Sequence, residues 1–337
     1  MVVIAIIALL IAILLPSLQS ARENAKTVVC STNLHHVGVA MAGYLFHSKA
    51  VYPPSYVYPT DEYGSWTPKA QPAAKPYGYM HWSYFMYANG SVDDEAFQCP
   101  KYEHGGAPRS NPGMDHDDWE GDQVDDGGQN DPNPVEDRQA PRLAYTANAA
   151  IMPRNKFTTT LSGGQRVNTF VRESNVKRPA DTILATEFLN NWRALGIQQD
   201  SDRVLSKAHR PINPFYHIGS GFNEYKASLR SPGFLYGVPD DQKTYGLLPL
   251  KDVRDKTNIL DPSSGLSQIN AIGRHHPTVD PLYRERFGGA ANFAFADGHV
   301  ETMTALQSVD QRKWGDHYYS ISGANEVLNM SRVEEAR

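Results

Sequence analysis

The sequence predicts an α+β protein in which one long N-terminal helix packs on an antiparallel β-sheet with long loop insertions. Two observations lead to this class. The chain opens with an unbroken apolar stretch that continues as a helical pattern, and short strand-like segments follow without the strand–helix alternation of parallel sheets. Gly and Pro, 26 and 23 of the 337 residues, add many turns, and the length suffices for a large core.

The apolar stretch at residues 2–15 contains fourteen apolar residues and no charge. At 1.5 Å per residue it reaches about 21 Å, which is shorter than the hydrocarbon core of a bilayer and similar to the core of a signal peptide. No basic residues precede it and no small-residue cleavage site follows, so the flanks favour a retained membrane anchor. A hairpin of buried core helices is the alternative for a soluble protein.

Beyond Pro16 the apolar residues recur at helical spacing to near Ser48. We therefore predict one helix, bent at Pro16 and about 70 Å long, whose first half lies in lipid and whose second half packs on a globular body. This divides the chain into an anchor and spine helix at residues 1–48 and a globular α+β domain at residues 49–337.

The globular part contains short segments with the composition of strands. They are residues 143–151, 182–188, 228–236, 292–296 and 300–304. The last two flank Asp297-Gly298, a dipeptide typical of tight hairpin turns because Gly adopts positive φ without steric cost. Asp297 thus has a structural role that needs no chemistry, and a metal or catalytic role is the alternative. A short helix is predicted at residues 81–88.

An acidic segment lies at residues 111–137. It holds ten Asp and Glu and no Lys or Arg, with Gly and Pro interspersed, so we predict a long exposed loop. Oxygen ligands at Asp115, Asp117 and Asp122 would suit Ca²⁺, although the Gly and Glu of an EF-hand loop are missing. Calcium therefore stays an open alternative, and no other cofactor is predicted.

The sequence gives no support for an enzyme or for nucleic-acid binding. It has no GxSxG, Walker, Rossmann or HExxH motif, and its formal charge of −5 supplies no basic field for a polyphosphate. An aromatic cluster between Trp66 and Tyr87 is predicted to be a core layer, with a sugar-stacking face as the alternative.

The string VVIAIIALLIAILLPSLQSARENA resembles the N-terminal helix of type IV pilin-like proteins. The downstream segments CSTNL, FQCP, AYTAN, RPADTIL, GGAANF and ADGH are similar to those of a large bacterial group of pseudopilin-like proteins. That group has a prepilin-type N-terminal segment and a C-terminal motif of His, nine residues and Asp-Gly. Across nearly the whole chain, the resemblance identifies as motif residues Arg274, His275, Gly288, Gly289, Asn292, Asp297 and Gly298.

The sequence departs from the family pattern in two places. The family begins with a Gly that prepilin peptidase cleaves, followed by Phe and a Glu, whereas Met1 falls several residues later. We expect a truncated or misassigned start, with a real loss of filament assembly as the alternative. Counting nine residues back from Asp297 reaches Phe287 instead of His, so an insertion, PTVDPLYRERF, is predicted after His276.

The resemblance implies a non-enzymatic pseudopilin-like subunit of a type II secretion or type IV pilus-like filament, in a minor or tip position. Its pilin-like fold would be anchored in the inner membrane by a single pass, with the C-terminal domain periplasmic or extracellular. Its partners would be membrane lipid and other pilin-like subunits, contacted through the N-terminal helix, and an extracellular protein or glycan would be a further ligand.

Two questions stay open at this point. An oxidising compartment would allow Cys30 and Cys99 to form a disulfide across 68 intervening residues, and two buried thiols are the alternative. The rival function is a membrane-tethered extracellular carbohydrate-binding module or hydrolase that uses the aromatic cluster. We expect Trp82→Ala to abolish glycan binding under this rival hypothesis.

Overall fold

The computed structural model describes residues 2–88, 90–129, 134–158, 167–200, 202–217, 244–247, 253, 255–256, 269–321 and 326–328. It contains a long N-terminal helix and several small, mainly antiparallel sheets, which confirms the mixed α+β class. The strand predicted at residues 228–236 lies outside the described residues. The α-helices described are α1 (Val2–His47), α2 (Trp82–Tyr87), α3 (Pro281–Phe287) and α4 (Ala305–Asp310).

Helix α1 is continuous through Pro16 and ends close to the predicted position. Proline lacks an N–H and so leaves one carbonyl of the preceding turn without its usual donor. The helix stops where Lys49 and Ala50 both adopt a φ of 58°. The backbone N–H of Ala50 then donates to the Leu45 carbonyl at 2.8 Å, which caps the last turn.

The two halves of α1 have different surroundings. Every residue from 3 to 25 is exposed, and α1 is the helix in the described part of the chain with the length and composition to cross a membrane. Further along, a stripe at helical spacing turns into the core. Its buried members are Cys30, Leu34, Val37, Met41 and Leu45.

Fourteen strands are described, most of two or three residues. They are β1 (Tyr56–Val57), β2 (Met80–His81), β3 (Ala107–Pro108), β4 (Gln123–Val124), β5 (Arg142–Leu143), β6 (Tyr145–Ala147), β7 (Ile183–Glu187), β8 (Gly196–Gln198), β9 (Val204–Ser206), β10 (Phe215–His217), β11 (Thr244–Leu247), β12 (Ala291–Phe295), β13 (Val300–Met303) and β14 (Glu326–Leu328). The predicted strands near residues 182–188, 292–296 and 300–304 correspond to β7, β12 and β13.

The central sheet has the order β13-β12-β7-β6, and each neighbouring pair is antiparallel. Strand β12 is buried along its length and packs under α1. Strands β12 and β13 form the predicted hairpin, in which Gly298 has a φ of 94° and the His299 N–H donates to Asp297 Oδ1 at 3.2 Å. A side chain at Gly38 of α1 would contact the Gly298 carbonyl, so the turn lies against the helix.

The acidic segment differs from the predicted exposed loop. Strand β4 lies within it and pairs in parallel with β9, and Asp125 and Asp137 are buried. Asp137 accepts hydrogen bonds from the backbone N–H groups of Tyr79 and Asn111, both at 2.7 Å. The composition predicted solvent exposure, but backbone donors replace water around these carboxylates.

The aromatic cluster lies only partly in the core: Tyr79 and Trp82 are buried, whereas the other rings are partly or fully exposed. Trp82 is 1% exposed at the start of α2, behind the N-cap residue His81, and packs edge to face with Phe97. Trp82→Ala is therefore not a direct test of the rival glycan-binding hypothesis, because Trp82 is buried. A buried indole offers no face to a ligand in solvent, because the amphipathic pattern of α2 turns it inward.

Candidate functional site at the junction of helix and sheet

A buried carboxylate lies where the central sheet meets α1. Glu187 ends strand β7 and is fully buried. Its Oε1 lies 2.8 Å from His276 Nε2 and accepts the side-chain N–H of Asn292 at 3.0 Å, and its Oε2 accepts the Asn292 backbone N–H at 2.8 Å. We refer to Glu187, His275, His276 and Asn292 as the junction cluster. Each oxygen of the carboxylate is thus hydrogen-bonded, as a buried charge requires.

Backbone pairing brings the members of the cluster together. His276 and Ala290 exchange two backbone hydrogen bonds, of 3.0 and 2.9 Å, directly before β12 begins. The chain between them leaves this bridge, forms α3 and returns. The segment predicted as an insertion after His276 is therefore a helix-containing loop, the excursion at residues 277–289, whose two ends lie next to each other.

The pair Gly288-Gly289 allows this close return. Gly288 has a φ of 96°, a conformation that glycine adopts without strain. A Cβ built at Gly289 would lie 2.0 Å from the His276 carbonyl oxygen and 2.8 Å from that of Arg274. No side chain fits between the returning strand and residues 274–276, so glycine is required there.

Helix α1 contributes to the cluster from its other side. Thr27 Oγ1 lies 3.0 Å from His276 Nδ1, while the Thr27 hydroxyl donates to the Glu23 carbonyl at 3.0 Å. One turn earlier, the Glu23 carboxylate pairs with Lys101 Nζ at 2.6 Å, and the same ammonium donates to the His275 carbonyl at 3.2 Å. These contacts fix the helix against the strand that carries the histidines.

The predicted disulfide between Cys30 and Cys99 is confirmed, with its Cα atoms 4.9 Å apart. It joins α1 to the segment before Pro100 and is surrounded by hydrogen bonds. The Tyr145 hydroxyl lies 2.9 Å from the Cys30 carbonyl, and Asn33 Nδ2 donates to the Gln98 carbonyl at 3.0 Å. Cys99 Sγ is 3.7 Å from His275 Nε2, so the disulfide touches the junction cluster.

Burial and charge set the protonation of the cluster. Burial opposes ionisation of Glu187, but the hydrogen bond from His276 and the neighbouring His275 together lower the pKa of Glu187 below its ordinary value. Burial lowers the pKa of His275 to about 4. At neutral pH the cluster therefore holds a carboxylate beside at least one uncharged imidazole.

Within the described residues, one group of metal-ligating atoms converges, and it lies here. One atom each from Cys30, Cys99, Glu187 and His276 are all within 4.8 Å of one another. While the two sulfurs are bonded to each other they are not thiolates, which are the form that binds metals. In the disulfide state the sulfurs therefore join the helix to the body and offer no thiolate.

The other motif residues occupy supporting positions. Arg274 is buried, and its guanidinium donates to the Phe287 carbonyl at 3.1 Å and to Asn270 Oδ1 at 3.2 Å, which holds the excursion in place. Asp297 and Gly298 lie in the hairpin turn, where Asp297 Oδ1 is 2.6 Å from His299 Nδ1. The structure thus brings His275, Gly289 and Asn292 together and leaves Asp297 and Gly298 outside the cluster.

Two of the three calcium candidates, Asp115 and Asp122, use their carboxylates in other contacts. Asp115 accepts the Asp117 N–H at 3.0 Å and caps a short 3₁₀ helix, and Asp122 forms an ion pair with Arg193. None of the three belongs to the converging group of ligand atoms, within the part of the chain that the structure covers. Arg193 thus pairs with one oxygen of the Asp122 carboxylate, a contact that the sequence did not reveal.

A separate open cleft of about 590 Å³ lies beside α2. Tyr77, Tyr84 and Tyr87 line it together with Glu136 and Arg138. The Arg138 guanidinium lies 5.8 Å from the centre of the Tyr84 ring and donates to the Tyr63 carbonyl at 2.7 Å. The wall of the cleft therefore combines charged side chains with tyrosine rings.

The sequence resemblance named His275 and Asn292 as motif residues, but it did not reveal the contacts that bring the junction cluster together. These contacts join positions far apart in the chain, such as Thr27 with His276 and Glu187 with His276. The signal available in the sequence was an acidic residue, Glu187, at the end of a largely apolar strand. Comparison of the chain with protein families, with curated proteins and with solved structures found no match.

Proposed function

We propose that this chain is a membrane-anchored, pseudopilin-like subunit that assembles with other such subunits through its N-terminal helix. The observation that carries the proposal is the division of α1. Residues 3–25 are exposed and largely apolar, whereas residues 30–45 of the same helix form part of the core. A helix that is apolar on all sides outside its own domain needs lipid or other helices around it.

The geometry of the junction supports this role. Removing apolar surface from water stabilises by about 25 cal/mol per Å², so the exposed leucines and isoleucines of α1 favour insertion. The disulfide and the junction cluster hold the helix in one position on the body. Helices that bundle side by side would therefore place their globular domains at fixed spacing on the outside, with α2, the cleft and α3 free for partners.

The proposal is tested by cysteine crosslinking in membranes. The chain has two cysteines, and both are in the disulfide, so introduced cysteines are the only free thiols. The double variant Ile6→Cys/Ile13→Cys places two thiols about 10 Å apart along the exposed helix. We expect oxidation to give a ladder of products larger than dimers, because each helix would contact one neighbour above and one below.

The matched control carries Tyr63→Cys and Val279→Cys, two residues of the body that are 82% and 100% exposed. It is expected to stay monomeric under the same conditions. Products no larger than dimers from the helix variant, or an equal ladder from the control, would contradict filament-like assembly. Extraction by alkaline carbonate would contradict the membrane anchor itself.

Binding of a carbohydrate is a second candidate function, favoured by the tyrosine cleft. Aromatic faces flanked by charged groups suit the alternating apolar and hydroxyl surfaces of sugars. Glu136 is ion-paired with Arg109, which engages one of the carboxylates of the cleft, so we propose binding instead of hydrolysis. We expect the Tyr84→Ala variant to lose glycan-array signals. The control variant Phe46→Ala, which removes an aromatic ring on α1 that is 85% exposed, should retain them.

A further inference from the structure

Two sulfurs, a carboxylate and an imidazole meet beneath α1, and all four residues are buried. Cys30, Cys99 and Glu187 are 0% exposed and His276 is 2% exposed. Their ligand atoms lie within 4.8 Å of one another. A tetrahedral Zn²⁺ site has bonds of about 2.0–2.3 Å, which puts neighbouring ligand atoms about 3.3–3.8 Å apart. Small movements of these side chains would therefore enclose one ion.

We propose that the chain with reduced cysteines binds Zn²⁺ through Cys30, Cys99, Glu187 and His276, and that the disulfide and the metal are alternative states of one site. Two thiolates and an imidazole are the ligands that zinc prefers, and a carboxylate completes the tetrahedron. In the disulfide state the sulfurs are occupied by their mutual bond, so the same residues cannot bind the ion.

The surroundings already resemble the outer shell of a metal site. Thr27 Oγ1 contacts His276 Nδ1 at 3.0 Å and leaves Nε2 directed at Glu187. Asn292 orients the Glu187 carboxylate through its backbone and side-chain N–H groups. Such hydrogen bonds to the ligands fix ring orientation and ligand geometry in zinc proteins.

His275 supplies an independent observation. Its side chain is 6% exposed, its Nε2 lies 3.7 Å from Cys99 Sγ, and its Nδ1 is buried without a hydrogen-bond partner in the described structure. This geometry places a second imidazole directly against the sulfurs. Next to two thiolates and a cation, this imidazole is placed to serve as a substitute ligand.

Conversion of the disulfide state to the zinc state needs two electrons and two protons from a reductant. A dithiol reductant passes two electrons to the Cys30–Cys99 bond and ends as a disulfide itself, and its two protons go to the cysteine sulfurs. Zn²⁺ then displaces these two protons to solvent as the two Zn–S bonds form. The His276–Glu187 hydrogen bond is replaced by bonds from both groups to the metal, and the imidazole proton moves from Nε2 to Nδ1, where Thr27 Oγ1 lies 3.0 Å away and accepts it.

The test uses the full chain in detergent, prepared in the oxidised form and in a reduced form with two titratable thiols, and adds Co²⁺ as a spectroscopic substitute for Zn²⁺. We expect a single Co²⁺ per reduced chain, with thiolate-to-cobalt charge-transfer absorption and the intense visible bands of a tetrahedral site. Zn²⁺ should displace it and abolish the spectrum. The oxidised form should show neither absorption.

Variants separate the four-ligand site from thiols acting alone. Glu187→Gln and His276→Gln should each lose at least tenfold in Co²⁺ affinity, whereas His36→Gln, at an exposed position on α1, should bind like the natural chain. Because the first two changes threaten folding, His276→Cys is included, and its added thiolate should strengthen the charge-transfer band.

Three results would overturn the proposal. The first is a reduced chain that keeps its helical circular dichroism but shows no thiolate–cobalt band. The second is a band that persists unchanged in His276→Gln, His276→Cys and Glu187→Gln. The third is retention of the metal by the oxidised chain.

Discussion

Single residues at the junction are constrained by the space around them. Gly289 illustrates this most clearly, because a Cβ at that position would lie 2.0 Å from a backbone oxygen, which cannot move aside as a flexible side chain does. Gly43 of α1, in contrast, has nothing within 4 Å of a built Cβ. The two glycines provide a matched pair in which the same substitution has opposite effects.

We expect Gly289→Ala to lower the free energy of unfolding by about 1–3 kcal/mol, the usual cost of overpacking, because the His276 strand must shift. Gly43→Ala should raise it by about 0.5–1 kcal/mol, since alanine is the better helix former. Urea unfolding in detergent, followed by tryptophan fluorescence, measures both. Equal effects at the two positions would show that the close approach at Gly289 is unimportant.

Buried histidines make the stability depend on pH. Burial lowers the pKa of His275 to about 4 and that of His81 to about 3, from an ordinary value of 6.5. Below pH 6.5 the unfolded chain therefore binds protons that the folded chain does not, so the free energy of unfolding falls as the pH falls toward 4. Each histidine contributes a slope of about 1.4 kcal/mol per pH unit.

A comparison with His81→Asn isolates one of these contributions. Asparagine keeps the N-cap of α2, where His81 accepts the Ser83 N–H at 3.2 Å, but does not titrate. Burial raises the pKa of Asp137 to about 6, which acts in the opposite sense over the same pH range in both proteins. Between pH 6 and 4.5, the free energy of unfolding of the variant should fall less steeply than that of the natural protein, by about 1.4 kcal/mol per pH unit. Identical slopes in the two proteins would contradict the prediction.

Among the elements, the disulfide ties α1 to the body across 69 positions of sequence. Closing a loop of that length contributes roughly 4 kcal/mol by restricting the unfolded chain. We expect Cys30→Ser/Cys99→Ser to lower the free energy of unfolding by about that amount, measured by urea unfolding without added metal. A loss below about 1 kcal/mol would mean that the junction cluster alone fixes the helix.

Elements whose signals are local were predictable from the sequence. Helix α1 follows from its apolar stretch and stripe, and the β12–β13 hairpin follows from Asp297-Gly298 between two strand-like segments. The acidic segment was mispredicted because composition does not reveal that backbone donors will surround Asp125 and Asp137. The pairing of Glu187 with His276 could not be predicted, because it depends on the order of strands in the sheet.

At the scale of the whole molecule, the boundary between anchor and body falls inside α1. The sequence was divided at residue 48 into an N-terminal helix and a globular domain, but the core of the globular body includes Leu34, Val37 and Met41 of the helix. The folded body therefore contains the second half of the helix as one of its own layers. Cutting the chain at residue 48 would expose the apolar surface of β12.

Two truncations test this boundary. Removal of residues 2–15 takes away exposed residues only, so we expect a monomeric, water-soluble protein with the disulfide intact and unchanged near-ultraviolet circular dichroism. Removal of residues 2–47 should give aggregated or unfolded protein, because it deletes part of the core. Size-exclusion chromatography distinguishes the outcomes, and a folded, soluble product of the longer deletion would contradict the assignment of α1 to the core.

The position of the disulfide on α1 determines how mechanical tension would travel through the protein. A pull applied at the N-terminal end of α1 passes along the helix axis and meets a covalent bond at Cys30, the first buried residue of the stripe. From there the load enters the segment at Cys99, so the turns of α1 beyond residue 30 carry little of it. The packing of the later turns of α1 is thus shielded from forces that act on its exposed N-terminal half.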